Sequence, residues 1–245
     1  MNSLEILETC KVAFVSIFLI YACFLDIKDR IVPNRVWKAM LVATSPMVSY
    51  EIYLSLEDVT SLLFAAIGVS FMIIFSYLLY AINAYGGADA KAIMSIALIF
   101  PFYPRVADFP VLNQGFGIFA FSVLANSVVF APFIMLSLLF RNLLKEGFRG
   151  FLKNPLFYVA GYKIPVERIK FHNLFEFVDE KGELRRVRKA VESNEEILQK
   201  LKSKGIERVW VTPALPFIVF ITTGFFIAVL FGDVFVAILE FMMKK

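Results

Sequence analysis

Charged residues divide the chain into long uncharged stretches separated by short polar segments. The uncharged stretches are residues 12–25, 39–50, 59–88, 92–104, 109–140 and 209–232. A membrane-crossing helix needs about 20 apolar residues, so three stretches are long enough alone and the other three must borrow flanking residues. The pattern predicts six transmembrane helices, over residues 5–27, 35–53, 60–83, 88–106, 112–142 and 213–238.

The composition supports a protein that crosses the membrane several times. Hydrophobic residues make up 59% of the chain and charged residues 19%, with a mean hydropathy of +0.73. A soluble domain carries roughly 45–50% apolar and 25% charged residues. With 12 Gly, 10 Pro and 2 Cys, the composition also excludes a collagen-like repeat, a disordered chain and a disulfide scaffold. We expect the lipid bilayer as a partner and no nucleic acid.

The basic residues predict how the chain is oriented. Most of the 25 Lys and Arg residues fall in the loop 26–38 and in the segment 141–208. Lys and Arg concentrate in the cytosolic loops of membrane proteins. The distribution therefore predicts that both termini lie outside the cell membrane and that the long basic segment is cytosolic.

The long basic segment has the pattern of a small folded module. Residues 171–178 and 183–187 read as two strands joined by the Gly-containing turn 179–182. A helix is expected after Ser193, ending at Gly205, and a further strand at 208–211.

Together these patterns define the expected fold. It is an all-α polytopic membrane bundle of six transmembrane helices, formed by residues 1–144 and 209–245. A small α+β cytosolic insertion, residues 145–208, separates the fifth and sixth helices.

Two aspartates fall at the ends of predicted membrane helices. Asp26 ends the first helix and Asp89 lies near the start of the fourth. The first helix runs inward and the fourth runs outward, so both carboxylates are expected at the same cytosolic depth. Ionisable groups within the membrane are costly and usually functional. We therefore predict that Asp26 and Asp89 form one site.

A pair of carboxylates in a low-dielectric site has a specific chemistry. The two groups cannot both ionise easily, so they share a proton near neutral pH. One carboxylate can then accept a proton from water while the other polarises a peptide carbonyl. Gly86 and Gly87 precede Asp89 and, lacking a Cβ, are expected to allow an unusual backbone and a close approach of substrate.

The motifs around the two aspartates resemble a known family. Residues 26–34 read Asp-Ile-Lys-Asp-Arg-Ile-Val-Pro-Asn, and residues 86–91 read Gly-Gly-Ala-Asp-Ala-Lys. These segments resemble the type IV prepilin peptidase family of GxGD membrane aspartic proteases, and most of all its archaeal branch, the preflagellin peptidases. The resemblance implies that Asp26 and Asp89 are catalytic and that Gly86, Gly87 and Ala88 form the active-site loop. Ala88 departs from the motif, which has a second glycine there.

The same resemblance implies a substrate, and we expect the protein to need no cofactor. The expected substrate is a preflagellin or pilin-like precursor, whose short basic leader would be cut at the cytosolic membrane boundary. The cysteine-rich zinc module of the bacterial members is absent from the sequence, which contains only Cys10 and Cys23, so methyl transfer is not expected. His172 is the single histidine, and we predict no metal site.

Three basic residues near the aspartates have two interpretations each. Lys28, Arg30 and Lys91 are either charges that anchor the inner side of the membrane or groups that tune the aspartate pair and position substrate. Asp29 is expected to meet the basic leader.

Two other functions remain compatible with the residues alone. Paired membrane aspartates also occur as relays in proton- or ion-coupled transporters. Transporter sites, however, lie near the middle of the membrane, and no inverted repeat is visible. The third possibility is a scaffold whose cytosolic insertion recruits partners.

Overall fold

The computed structural model describes residues 3–129, 131–179, 182–213 and 215–243. The described chain is mainly helical, with one antiparallel sheet. The helices are α1 (Ser3–Asp29), α2 (Asn34–Leu54), α3 (Val59–Ala81), α4 (Gly87–Ile99), α5 (Phe119–Val128), α6 (Ala131–Glu146), α7 (Phe148–Lys153), α8 (Pro155–Ala160), α9 (Glu195–Ser203), α10 (Phe217–Leu230) and α11 (Val234–Met243). The strands are β1 (Tyr162–Pro165), β2 (His172–Val178), β3 (Leu184–Glu192) and β4 (Arg208–Pro213).

The chain divides into two compact units. The first contains residues 1–130 and 216–245, and the second contains residues 131–215. The two units are defined by the contacts within each of them and not by the position of a membrane. The predicted boundary between the membrane domain and the insertion, at residues 144 and 145, therefore stays a prediction.

Three helical segments in the described residues are long and apolar enough to cross a membrane. They are Ser3–Asp29, Val59–Ala81 and Phe119–Glu146, the last of which runs through α5 and α6. The apolar helices α10 and α11 are shorter. The membrane character predicted from composition agrees with these segments. Three such segments are found in the described residues, so the predicted number of six spans stays a prediction.

The first unit is a helical bundle with an apolar core. Helix α10 packs against α5, α1 and α4, and α2 packs against α1 and α4. The core contains side chains that are almost fully buried, including Val15, Leu19, Met40, Ile93, Ile96, Phe119 and Phe225. Large apolar side chains on the opposite faces are exposed, among them Ile17, Ile67 and Ile74. This outward apolar surface is expected of helices whose solvent is lipid.

The fourth predicted helix is shorter than the sequence suggested. We expected it over 88–106, but α4 ends at Ile99. Pro101 follows closely, and proline disfavours a helical conformation in the residue before it. A second proline, Pro104, prevents the helix from resuming. The 13 residues of α4 cover about 20 Å.

The start of the fifth predicted helix is also wrong. We expected a helix from 112, but α5 begins at Phe119. Gly115 and Gly117 adopt positive φ values of 54° and 75°, which are incompatible with a continuous helix. Instead, the backbone N–H of Val111 donates to the carbonyl of Leu230, the last residue of α10. The backbone N–H of Leu112 donates to the carbonyl of the next residue, Phe231.

The last predicted helix, over 213–238, is interrupted. Residues up to Pro213 belong to β4, and α10 and α11 are separated at Gly232 and Asp233. Gly232 has a φ of 92°, and the Asp233 carboxylate accepts a hydrogen bond from the backbone N–H of Val236 in the first turn of α11. A capping aspartate of this kind starts a new helix.

The second unit combines short helices with the sheet. The strand order is β1-β4-β2-β3, and all neighbouring strands are antiparallel. Strands β2, β3 and β4 and helix α9 agree with the pattern seen in the sequence, although β3 continues to Glu192 rather than 187. Strand β1 was not predicted. In the predicted turn, Glu180 and Lys181 lie outside the described residues.

Gly224 provides a test of the packing between α10 and α5. A methyl group at this position would collide with the carbonyl oxygen of Val123 and would lie 2.6 Å from Ser127 Oγ. We expect Gly224→Ala to reduce the free energy of unfolding by about 1–3 kcal/mol through overpacking, measured by thermal unfolding in detergent. The neighbouring Thr223 is exposed, so Thr223→Ala serves as the control. Equal stability of the two variants would contradict the close helix contact.

Candidate active site

Asp26 lies in the last turn of α1 and contacts the start of α10. Its Oδ2 accepts a hydrogen bond from the backbone N–H of Ile218, at 3.3 Å. Ile218 is in the first turn of α10, where N–H groups have no partner within the helix. Nearby on α1, the Cys23 thiol donates to Thr222 Oγ1 at 3.0 Å. The end of α1 is therefore fixed against the beginning of α10.

Asp89 lies in the first turn of α4 and is 9% exposed. Its Oδ2 accepts a hydrogen bond from the backbone N–H of Gly86, at 2.9 Å. The segment before the helix is held by Tyr85, whose hydroxyl is 2.6 Å from Ser76 Oγ on α3. Ser76 also donates to the carbonyl of Ala90. Helix α3 thus fixes both ends of the short segment that carries Asp89.

Gly86 has a different role from the one we expected. Its φ and ψ are −76° and 163°, an ordinary extended conformation that any residue can adopt. The expectation of an unusual backbone is therefore wrong. A Cβ at Gly86 would lie 3.2 Å from Asp89 Oδ2, whereas a Cβ at Gly87 would make an ordinary 3.4 Å contact with the Tyr80 ring. Gly86 leaves space beside the carboxylate.

Asp26 and Asp89 lie at the same end of the first unit. Their charges are close enough to interact electrostatically. The start of α10 links their surroundings: Ile218 contacts Asp26, and the Phe217 ring stacks on Tyr85 with centroids 6.0 Å apart. Both carboxylates accept hydrogen bonds from backbone N–H groups at helix N-termini, which favour negative charge. Two carboxyl groups with interacting charges are the kind of groups that acid–base catalysis of hydrolysis uses.

The other predicted site residues are arranged around this pair. Lys28 and Asp29 are exposed at the end of α1. Arg30 follows the helix with a φ of 58°, its N–H donates to the carbonyl of Asp26, and its charge is near the Asp26 carboxylate. Lys91 donates to Asn34 Oδ1 at 2.7 Å, which joins α4 to the start of α2. Ala88 is half-buried in the first turn of α4.

The structure also contains a buried polar cluster that the sequence did not reveal. Lys11 on α1 is fully buried, forms an ion pair with Glu51 on α2, and lies 5.1 Å from the centroid of the Phe100 ring. Glu8, one turn before Lys11, accepts a hydrogen bond from the backbone N–H of Arg105. In the sequence, Lys11 lies directly before the first uncharged stretch. A signal was present, because Glu8 and Lys11 lie on one face of a helix.

A second buried group supports the break between α10 and α11. Asn126 on α5 donates to the carbonyl of Gly232 and accepts from the N–H of Val234. Ser122 donates to the fully buried Asp233. Asn126 thus satisfies backbone groups that the interrupted helix leaves free, and Ser122 is a partner for the buried Asp233 carboxylate.

Within residues 3–129, 131–179, 182–213 and 215–243, His, Cys, Asp and Glu side chains form no group of three or more that could hold a metal ion.

Comparison with known protein families identifies the class of protein. A sequence model described as the type IV leader peptidase family matches residues 13–140. The chain belongs to this family. A second model, described as the archaeal peptidase A24 C-terminus type II, matches residues 153–234. The resemblance inferred from the two aspartate motifs is thereby confirmed, and the chain is a member of a peptidase family.

Curated relatives cover most of the chain. It is 25% identical to the preflagellin peptidase of Methanocaldococcus jannaschii over 228 residues, which are 91% of this chain and 94% of that protein. It is 26% identical to the preflagellin peptidase of Methanococcus voltae, over 90% of this chain and 94% of that protein. The prepilin peptidase EppA of Methanothermobacter thermautotrophicus is 24% identical, over 56% of this chain and 37% of that protein.

Proposed function

We propose that this chain is a membrane aspartic endopeptidase of the GxGD type, which removes the short basic leader from preflagellin or pilin-like precursors. The observation that carries the proposal is that the charges of Asp26 and Asp89 interact, although the two residues lie far apart in the sequence. Membership of a leader peptidase family and the names of the relatives support the substrate class.

The reaction follows from the pair of carboxyl groups. One carboxylate accepts a proton from water, and the resulting hydroxide adds to the carbonyl carbon of the scissile peptide bond. The protonated carboxyl group donates its proton to the carbonyl oxygen. When the gem-diol intermediate breaks down, the carboxyl group that took the water proton gives it to the peptide nitrogen, which leaves as the amine. One hydroxyl of the intermediate returns its proton to the other carboxylate as the new carboxylic acid forms. The pair ends with one proton, as it began.

The proposed location is the cytosolic boundary of the cell membrane. In this arrangement six helices cross the bilayer, both termini lie outside, and the basic segment 145–208 lies in the cytosol. The exposed Asp29 would attract the basic leader, and Lys28, Arg30 and Lys91 would position the substrate or anchor the inner surface. The concentration of Lys and Arg in the loop 26–38 supports this orientation.

The transporter and scaffold hypotheses are less well supported. Membership of a peptidase family does not favour a proton- or ion-coupled transporter that uses Asp26 and Asp89 as a relay. A scaffold does not account for two carboxylates held at one site by hydrogen bonds from α4 and α10.

A cleavage assay tests the proposed function. Purified full-length protein in detergent is incubated with a precursor that consists of a short basic leader and a hydrophobic helix, and the products are measured by mass spectrometry. We expect a product shortened by the leader. The control precursor has its leader Lys and Arg residues replaced by Gln and should be cut more slowly. If several precursors stay intact while vesicles containing the protein conduct ions, the transporter hypothesis replaces this one.

Gly86 and Gly87 offer a matched comparison beside the site. A methyl group at Gly86 crowds Asp89 Oδ2, and a methyl group at Gly87 does not. We expect Gly86→Ala to lower the cleavage rate about tenfold, the effect of roughly 1.4 kcal/mol on the barrier, and Gly87→Ala to change it much less. Initial rates at saturating precursor measure both. A larger loss in Gly87→Ala would show that the space beside Asp89 is unimportant.

A further inference from the structure

A row of large apolar side chains is exposed on α6, α7 and α8. Leu144, Phe148, Leu152 and Leu156 follow one another at intervals of four residues. Their exposed fractions are 88%, 62%, 68% and 45%. We call these four residues the apolar stripe. Exposed apolar groups in such a row usually mark an interaction surface.

The apolar stripe belongs to a folded surface. Asn142 is fully buried and donates to the carbonyls of both Tyr158 and Gly161. The Tyr158 hydroxyl donates to the carbonyl of Gly147, at the turn between α6 and α7. Leu143 and Phe151, each next to a stripe residue in the sequence, pack against the buried cluster that contains Phe157 and Tyr158. The four exposed side chains are therefore displayed by a packed arrangement of helices.

Basic residues accompany the apolar stripe. Lys145, Arg149 and Lys153 each follow a stripe residue directly, and all three are exposed. Glu146 is the only acidic residue between 141 and 163. It forms ion pairs with Lys163 and Arg208, at 3.3 Å and 3.6 Å. The surface is therefore both apolar and positively charged.

The apolar stripe continues the outer face of a candidate membrane segment. Helix α6 is the second part of the segment Phe119–Glu146. On α6, Phe133 and Phe140 are each 63% exposed, and Leu144 follows Phe140 at the spacing of one helical turn. The lipid-facing side of α6 thus leads directly into the stripe.

We propose that the apolar stripe lies in the boundary between headgroups and acyl chains of an anionic membrane surface. Its Leu and Phe side chains enter the acyl region, and Lys145, Arg149 and Lys153 bind lipid phosphates. This combination of apolar and basic faces is typical of helices that lie in the membrane interface, and anionic lipids attract such bases. The inference rests on the membrane location in the proposed function, and does not depend on the peptidase reaction. It attaches α7 and α8, which follow the candidate membrane segment, to the bilayer surface.

Site-specific fluorescence tests this inference on the full-length protein. In a Cys10→Ser, Cys23→Ser background, one cysteine is introduced as Leu152→Cys or, as a control in the same unit, as Val191→Cys on β3. Val191 is exposed but lies outside the stripe. Each variant carries an environment-sensitive dye and is reconstituted in phosphatidylcholine vesicles with and without phosphatidylglycerol. Quenching is measured with iodide on both sides of the bilayer and with lipids that carry a spin label near the headgroup.

The two labels should behave oppositely. At position 152, we expect several-fold weaker quenching by iodide than at 191, and strong quenching by the labelled lipid. Phosphatidylglycerol should strengthen this protection, and Arg149→Gln with Lys153→Gln should remove that increase. If iodide reaches position 152 as easily as 191, the stripe faces water or an acidic protein partner, and the inference is wrong. Protection that is independent of both lipid charge and the Gln variants would overturn the role of the bases. Precursor cleavage is not part of either readout, so loss of activity and loss of lipid contact are distinguished.

Discussion

Asp26→Asn and Asp89→Asn should each lower the rate of leader cleavage by about two to four orders of magnitude. This is the usual contribution of general acid–base catalysis. Asparagine keeps the size of the side chain and an oxygen that can accept the N–H of Ile218 or Gly86, so the hydrogen bonds at 3.3 Å and 2.9 Å can persist. It cannot carry the shared proton. Cleavage of the precursor under single-turnover conditions measures the loss.

The double variant tests whether the two aspartates act as one unit, and a distant aspartate serves as the control. If the two aspartates act as one unit, Asp26→Asn with Asp89→Asn should be about as slow as either single variant, because effects within a catalytic unit are not additive. Asp108→Asn, in an exposed loop, should cleave at the wild-type rate. All variants should unfold at similar temperatures. Full cleavage by either single variant would refute the catalytic pair.

Both parts of the proposed site carry strong local signals in the sequence. An aspartate at each of two membrane-helix ends is unusual in an apolar chain, and the loop charges gave the relative direction of the first and fourth helices. The contact that holds Asp26 could not be predicted. It is made by the backbone N–H of Ile218, and a backbone group leaves no signature in the sequence.

The helices themselves were predictable where apolar residues are continuous. Helices α1 and α2 lie within a few residues of the expected bounds, and Pro46 does not interrupt α2. The errors occur where tertiary contacts replace helical hydrogen bonds. Residues 111 and 112 pair with the end of α10, and Asn126 satisfies the break before α11. An uncharged stretch cannot reveal such breaks, because its apolar character is the same on both sides.

The buried ion pair between Lys11 and Glu51 should give the largest effect on stability. The side chains of Lys11 and Glu51 are 1% and 2% exposed. Lys11→Met leaves the Glu51 carboxylate buried without its cation, and removal of one partner of a buried pair costs about 3–5 kcal/mol. We expect a loss of this size in the free energy of unfolding, measured by denaturant titration in detergent.

Replacing Glu51 as well distinguishes the free-energy cost of an unpaired buried charge from the contribution of the ion pair to stability. Lys11→Met combined with Glu51→Leu should recover most of the stability, since a buried ion pair is often no better than apolar side chains of similar volume. Lys200 provides the matched control, because it forms an exposed ion pair with Glu196 on α9. Exposed pairs contribute little, so Lys200→Met should cause no measurable change. If Lys11→Met were as stable as Lys200→Met, Glu51 would have to be neutral or hydrated in the folded protein. If the double variant were less stable than Lys11→Met alone, Glu51 would stabilise the fold through contacts other than the ion pair, and the loss in Lys11→Met would not come from an unpaired buried charge.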